Sequence, residues 1–330
     1  MKGAVSDDEV FLTGATGFIG GHVLDALLDA GYSVRALVRT PGRLPSRPGV
    51  AEVVGDVTRS GQLVGAMSGC RLLIHCAAVY SFSPSERAQI HATNAAGTAG
   101  ILVAARLAGV ERAVVTSSSA TVGPARRGRP ATEEDHADEH RGSAYHSSKI
   151  AGERAALAAR VPAVVILPTA PVGAHDWKPT PTGTALLTFL RGRVLASVDG
   201  GINIVAVRDV AEAHVAALTR GQPRRRYLVG GENLSFDQLW RRLAAVSGRR
   251  APRRRMPHAV ALMAGFVDEA RCRVVRGSPV VPLEGVRMAR HHMYVDSRRS
   301  VDELGVAPSS VDTALEDAVR WYREHGYVAA

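Results

Sequence analysis

The sequence predicts an α/β protein, a doubly wound parallel sheet joined to a smaller mixed α/β C-terminal region that carries the substrate. Three observations predict it. Short apolar runs alternate with helical patterns through the first half of the 330 residues, the pattern of successive βαβ units. A glycine-rich turn, TGATGFIGGH, lies between the first run and the first helix. Past Pro168 the texture changes to Pro, Gly and Thr, and the alternation stops.

Taken in order, VFLT at 10–13 reads as the first strand, with Leu24 to Leu28 inside an amphipathic helix. SVRALVR at 33–39, AEVVG at 51–55 and RLLIHCAA at 71–78 are strands two to four. A helix runs from about 87 to 108, and RAVVTSSS at 112–119 is strand five. The helix opened by SAYHSSKIAGE, 143–153, leads to AVVILP at 163–168 as strand six. TAPVGAHDWKPTPTG at 169–183 is expected to be a loop, and loops leaving the carboxyl ends of parallel strands build ligand crevices. Beyond it come strands at 202–206 and 226–229, and helices at 209–218, 236–247, 257–272 and 311–325. The chain thus divides into residues 1–168, to which 202–220 is expected to return, and a substrate-binding region, 169–330.

Composition narrows the function classes. The formal charge of +10 raises the question of a polyanion, but the arginine clusters at 224–226 and 249–255 have no interleaved aromatics, so no nucleic-acid partner is expected. Cys70, Cys76 and Cys272 contain no CxxC pair, which argues against a disulfide framework or a zinc site and fits a cytoplasmic protein. The acidic N-terminal stretch that runs into the first strand does not read as a signal peptide. AVALMAGFV at 259–267 is about half the length of a membrane span. It is expected to pack as a helix, with peripheral membrane contact left open. His136 and His140 have i, i+4 spacing but sit in a polar insertion, EEDHADEH, that reads as a solvated loop, so no metal is expected.

The glycine turn carries the first chemistry. Gly14 permits the turn, Gly17 lets backbone approach a pyrophosphate, and Gly20 lets helix and strand pack closely. With Thr16, Phe18 and Ile19 this makes a Rossmann-type phosphate cradle at a helix start. The second strand ends at Arg39, with Arg43 four residues on; arginines there accommodate a 2′-phosphate, so NADP(H) is favoured over NAD(H). Ordinary solvated arginines would look the same. Asp56 and Val57 are placed to meet the adenine, and Ala77 and Ala78 are small enough to let a cofactor lie against backbone.

Tyr145 and Lys149 share a helix face, and the chain has only three lysines. An ammonium about 4 Å from the phenol, at an effective dielectric near 20, stabilises the phenolate by roughly 4 kcal/mol and lowers its pKa by about three units. Ser118, at the end of strand five, would orient a substrate carbonyl, with Ser119 the other candidate. His146 is expected to point away from Tyr145. Trp177 and Tyr80–Phe82 either line an apolar pocket or pack in the core.

Together TGATGFIG, RALVR, TSSSATVG, YHSSK and HATNAAGT (91–98, with Asn94) resemble the extended short-chain dehydrogenase/reductase family, the NAD-dependent epimerase/dehydratase superfamily. Two branches come nearest: the dihydroflavonol 4-reductase-like reductases, and the hopanoid-associated sugar epimerases, to which KPTPTG (178–183), YLVGGENLSF (227–236) and LEGVRMAR (283–290) are similar. The resemblance implies Ser118, Tyr145 and Lys149 as the catalytic set, Pro168 and Thr169 beside the nicotinamide, and a homodimer paired through the 87–108 and 144–160 helices. Ala206 and Arg208 stand where the family commonly shows a histidine and an aspartate. The implied activity is NADPH-dependent reduction of a ketone or aldehyde on a fairly apolar small molecule. The alternatives are epimerisation or dehydration of a nucleotide sugar, and a non-catalytic redox-sensing protein.

Overall fold

The computed structural model describes residues 8–81, 84–126, 128–139, 143–275, 286–287 and 289–328. Phe82, His140 and residues 283–285 and 288 of the LEGVRMAR stretch lie outside them.

In chain order the elements are β1 (Glu9–Thr13), α1 (Phe18–Asp29), β2 (Ser33–Val38), β3 (Val50–Val54), α2 (Leu63–Ala66), β4 (Leu72–His75), α3 (Arg87–His91), α4 (Thr98–Leu107), β5 (Arg112–Thr116), α5 (Ala144–Leu157) and β6 (Ala163–Pro168). After them come β7 (Ala170–Val172), α6 (Pro181–Leu190), β8 (Gly201–Ala206), α7 (Val207–Thr219), β9 (Arg226–Val229), β10 (Glu232–Ser235), α8 (Phe236–Ser247), α9 (His258–Val275), β11 (His292–Met293) and α10 (Val311–Glu324).

The large sheet has the order β3-β2-β1-β4-β5-β6-β9 and is parallel throughout. Its inner strands are buried on both faces, which is why they read as continuous apolar runs; the edge strand β3 has no buried residue. Val10 and Leu12 pack with Val23, Leu27 and Val210 of α1 and α7 on one face. Phe11, between them, packs with Ile101 and Ala105 of α4 on the other. The strand order reverses between β1 and β4, opening a crevice at the carboxyl ends.

The second sheet is smaller and mixed. β8 pairs antiparallel with β10 and parallel with β7 and β11. A separate core, including Leu187, Phe189, Trp240, Leu243 and Trp321, lies between this sheet and α6, α8 and α10.

Three expectations are corrected. Residues 169–183 are not all loop: Ala170–Val172 pairs with β8 and α6 starts at Pro181. The 87–108 helix is continuous from Arg87 to Leu107 but is not α-helical throughout, its middle, Ala92–Gly97, being a π-helical turn. There Asn94 turns its side chain to the Val79 backbone, accepting from N at 2.8 Å and donating to O at 2.9 Å, and α5 packs so closely that a Cβ on Gly152 would lie 2.3 Å from Asn94 O. The EEDHADEH stretch is a loop, but over its described residues only partly a solvated one: Glu134, His136 and Asp138 are exposed, whereas Glu133 and Asp135 are buried and Glu133 accepts from Leu228 N at 2.9 Å.

Candidate active site

The candidate site is assembled at the carboxyl ends of the parallel strands. After β5, Ser118 caps a short 3₁₀ turn, Ser119–Thr121, accepting from Ala120 N at 3.2 Å. Ser143 caps α5, and its hydroxyl lies 2.8 Å from His146 Nδ1. This start rotates Tyr145, Lys149 and Glu153 onto the buried face of the helix.

Tyr145 is 7% exposed, and its hydroxyl is hydrogen-bonded to Ser118. Tyr80 stacks on its ring at 4.4 Å, and the imidazole of His146 stands edge-on at 6.1 Å. His146 therefore lies against Tyr145, contrary to the expectation that it points away. Ser118, Tyr145, His146, Thr169, Asn203 and Met293 help to wall a small cavity that opens to solvent. Among the described residues, none of those lining it is Lys, Arg, Asp or Glu.

The electrostatics differ from the expectation of an ammonium-lowered phenol. Burial pushes Tyr145 up to about 12, only partly offset by the Ser118 hydrogen bond. Lys149 Nζ instead donates to Thr116 O at 2.9 Å. Burial brings this lysine down to about 8, against the opposing pull of Cys76 and Glu153. Desolvation governs both groups, so the phenol keeps its proton at neutral pH. Behind the lysine, burial first and the Lys149 charge second hold His75 at about 3. Burial likewise lowers His214 to about 4. Both rings are neutral. His214 Nδ1 donates to Val210 O at 2.7 Å, leaving Nε2 to accept from Thr116 Oγ1 at 2.7 Å.

Glu153, which the sequence reading missed, holds the serine turn from both sides. It accepts from Ser117 Oγ at 2.6 Å and Thr121 Oγ1 at 2.7 Å. Arg226 Nε lies 2.9 Å from its other oxygen, with the N–H off-line, so this contact is charge compensation and not a formed hydrogen bond. The signal available was a carboxylate one helical turn past Lys149.

Gly14 has φ +79°, and a Cβ there would lie 2.7 Å from Ala77 N; one on Gly20 would lie 2.0 Å from Gly14 O. The fold itself requires these two. A Cβ on Gly17 would meet only Gly14 O, at 3.2 Å, and otherwise open space. Gly17 caps α1 without a side-chain bond and the first turn carries no acidic residue, so the N–H groups of Phe18, Ile19 and Gly20 remain for an anion. Thr16 is exposed on this turn. The turn fits a diphosphate.

The remaining candidates spread along the strand ends. Arg39 and Arg43 are exposed at the end of β2 and in the turn after it. Asp56 accepts from Thr58 N and Oγ1 at 2.8 Å each, and these bonds, with a smaller pull from Arg39, hold its carboxyl below the usual range. Val57 is buried in the core under β2, Ala77 is half-buried and Ala78 exposed. Pro168 is buried, and Thr169 donates to Asn203 Oδ1 at 2.8 Å. Trp177 is exposed and edge-on to Trp321, away from the cavity. Ala206 caps α7 and Arg208 lies 3.9 Å from Asp317; neither walls the cavity.

Comparison with known proteins agrees with this geometry. The model of the NAD dependent epimerase/dehydratase family matches residues 10–230. The chain is 40% identical to a putative dihydroflavonol 4-reductase of Synechocystis, over 97% of this chain and 96% of that one. It is 31% identical to sterol demethylase protein B of Methylococcus capsulatus, over 96% and 99%. It aligns with the crystal structure of gox2253 at a TM-score of 0.84 and 33% identity, covering 98% of this chain and 100% of that one. With a family match over more than half of its length and such relatives along nearly all of it, the chain belongs to the NAD dependent epimerase/dehydratase family, is of the extended short-chain dehydrogenase/reductase type, and is an NAD(P)-dependent oxidoreductase.

Proposed function

We propose that the protein uses NADPH to reduce a ketone or aldehyde on a neutral, largely apolar small molecule. One observation carries this reading: a protonated tyrosine, hydrogen-bonded to a serine, on the wall of a cavity whose described lining holds no Lys, Arg, Asp or Glu. Ser118 holds the carbonyl oxygen, and Tyr145 gives it a proton. Lys149 keeps a positive charge behind the tyrosine, and Glu153 keeps the serine turn in place. The bound nicotinamide supplies the hydride.

The turn from Gly14 to Gly20 would hold the diphosphate. Asp56 and the Val57 backbone would border the adenine, Arg39 and Arg43 the 2′-phosphate, and Ala77, Ala78, Pro168 and Thr169 the nicotinamide half. Residues 1–168, with α7 and β9 returning to them, are assigned to the dinucleotide, and the rest of 169–330 to the substrate; β8, expected to return with 202–220, belongs instead to the smaller sheet. A homodimer through the 87–108 and 144–160 helices belongs to the same reading; Val103 and Leu107, exposed one turn apart on α4, give it an apolar seam.

The names of two relatives, a dihydroflavonol reductase and a sterol demethylase protein, point to neutral polycyclic substrates. The family's name keeps a second reading in view, nucleotide-sugar epimerisation. A diphosphate in the substrate would call for cations on the cavity wall, and among the described residues its lining holds none. The test is NADPH oxidation over a panel of neutral ketones and aldehydes, run beside nucleotide sugars. Tyr145→Phe is expected to abolish turnover and leave the NADPH dissociation constant within about threefold. Turnover retained by that variant overturns the reading, and tightly copurifying NAD with nucleotide-sugar conversion favours the epimerase.

A further inference from the structure

We propose that the first three turns of α9, with the arginines that precede them, dock the protein on the surface of an anionic lipid bilayer. Half of the ten exposed large apolar side chains among the described residues lie in this one region: Leu195, Val260, Met263, Phe266 and Val267. From 258 to 267 the outward residues of the helix are Ala259, Val260, Met263, Ala264, Phe266 and Val267, while Ala261 and Gly265 face inward. The outward face of those turns has no polar group, the reverse of an ordinary surface helix.

Leu195 joins this patch through backbone. Ser197 N donates to Arg254 O at 2.9 Å and Met256 N to Ser197 O at 2.8 Å, which sets residues 195–197 beside the segment leading into α9.

The surroundings name the partner. Arg249, Arg250, Arg253, Arg254 and Arg255 are exposed in RRAPRRR, a stretch with no carboxylate, and Arg255 pairs with Asp237. On the other flank the Arg287 guanidinium lies 6.0 Å from the centre of the Phe266 ring. Asp268, at the far end of the patch, is paired with Arg271. An apolar face rimmed by cations matches an interfacial helix, which sinks its apolar side to the acyl boundary and meets anionic headgroups with its arginines. A second copy of the same face would set these arginine rims against each other. α9 is 18 residues long, and no helix among the described residues is long and apolar enough to cross a membrane, so the contact lies along the surface. The formal charge of +10 acts in the same direction.

The test is co-sedimentation of the full chain with vesicles of phosphatidylcholine alone, and with one-third phosphatidylglycerol. Binding is expected to the anionic vesicles, at least tenfold stronger than to the neutral ones, and to weaken as salt is raised. Two double variants, Met263→Asp with Phe266→Asp and Arg253→Glu with Arg254→Glu, are each expected to lower it at least tenfold. Each should leave the melting temperature, NADPH binding and the mass by light scattering unchanged. Absence of binding, equal binding to both vesicles, or binding that survives both variants overturns the proposal. A smaller mass in the apolar variant alone also overturns it, because the face would then join two copies of the chain. No readout requires turnover, so failure here is separable from failure of the catalytic reading.

Discussion

At the scale of single residues, desolvation sets the pH behaviour. Lys149 has a folded pKa of about 8 against an ordinary value of 10.5. Its ammonium is thus lost about two units earlier than in water, and carbonyl reduction that depends on that charge should fall above about pH 8. Glu153 is one of the groups opposing the drop, so Glu153→Gln should move the break to lower pH and reduce kcat at least tenfold by loosening the serine turn. A purely structural carboxylate would not shift the profile. Because an uncompensated Arg226 costs about 3–5 kcal/mol, the variant's melting curve must accompany the kinetics. Thr121→Val, which removes one hydroxyl from the clamp and a 3.4 Å contact from Arg226 Nη2, tests the turn while leaving the Arg226–Glu153 ion pair in place. A break that stays in place in Glu153→Gln refutes the coupling. The two buried histidines act on stability. Their folded pKa values, about 3 and about 4, lie below the unfolded 6.5. Between those limits the unfolded chain binds protons that the native state refuses, so stability present at pH 7 should be lost as pH falls through that window. A melting temperature constant from pH 7 to 4 would contradict this.

At the scale of elements, the three glycines of the turn should separate folding from binding. Gly20→Ala forces a Cβ to within 2.0 Å of Gly14 O, an overlap between backbones that neither helix nor strand can relieve cheaply. Its expected result is a loss of about 2–3 kcal/mol in denaturant unfolding. Gly17→Ala has allowed backbone angles, φ −94° and ψ 172°, and open space beyond one contact. It should fold normally and bind dinucleotide at least tenfold more weakly, read by fluorescence titration. If both variants fold and bind alike, the division of roles is wrong. These glycines were legible because a fixed spacing after an apolar strand encodes one geometry. The inner strands of the large sheet were legible too, since burial on both faces leaves few polar residues in them. β7 and β10 were not. APV contains a proline and ENLS has a single large apolar residue, so each becomes a strand only through β8, with the Asn203 amide donating to Asn233 Oδ1 at 2.8 Å. The same holds for Glu153 and Tyr80, whose partners lie 32 or more residues away in the chain.

At the scale of the whole molecule, strand order sets the distance between recognition and chemistry. Arg39 follows β2 and Ser118 follows β5, and β1 and β4 lie between them. Three strand intervals are about 14 Å, comparable to the span of an extended dinucleotide. A group that grips the adenosine end therefore has no path to the reacting carbonyl except through binding. Loss of Arg39 should raise the KM for NADPH about tenfold, leave the KM for NADH within about twofold, and leave kcat with saturating NADPH nearly unchanged. The split matters because a damaged fold would lower kcat with both cofactors, whereas a missing phosphate contact affects only the phosphorylated one. Arg39→Ala suits the test better than a charge reversal, which would set a carboxylate near Asp56, a group whose own pKa already responds to Arg39. If the unaltered enzyme prefers NADH, or if Arg39→Ala changes both KM values equally, the arginine is a solvated surface residue, and the 2′-phosphate is either bound elsewhere or not recognised.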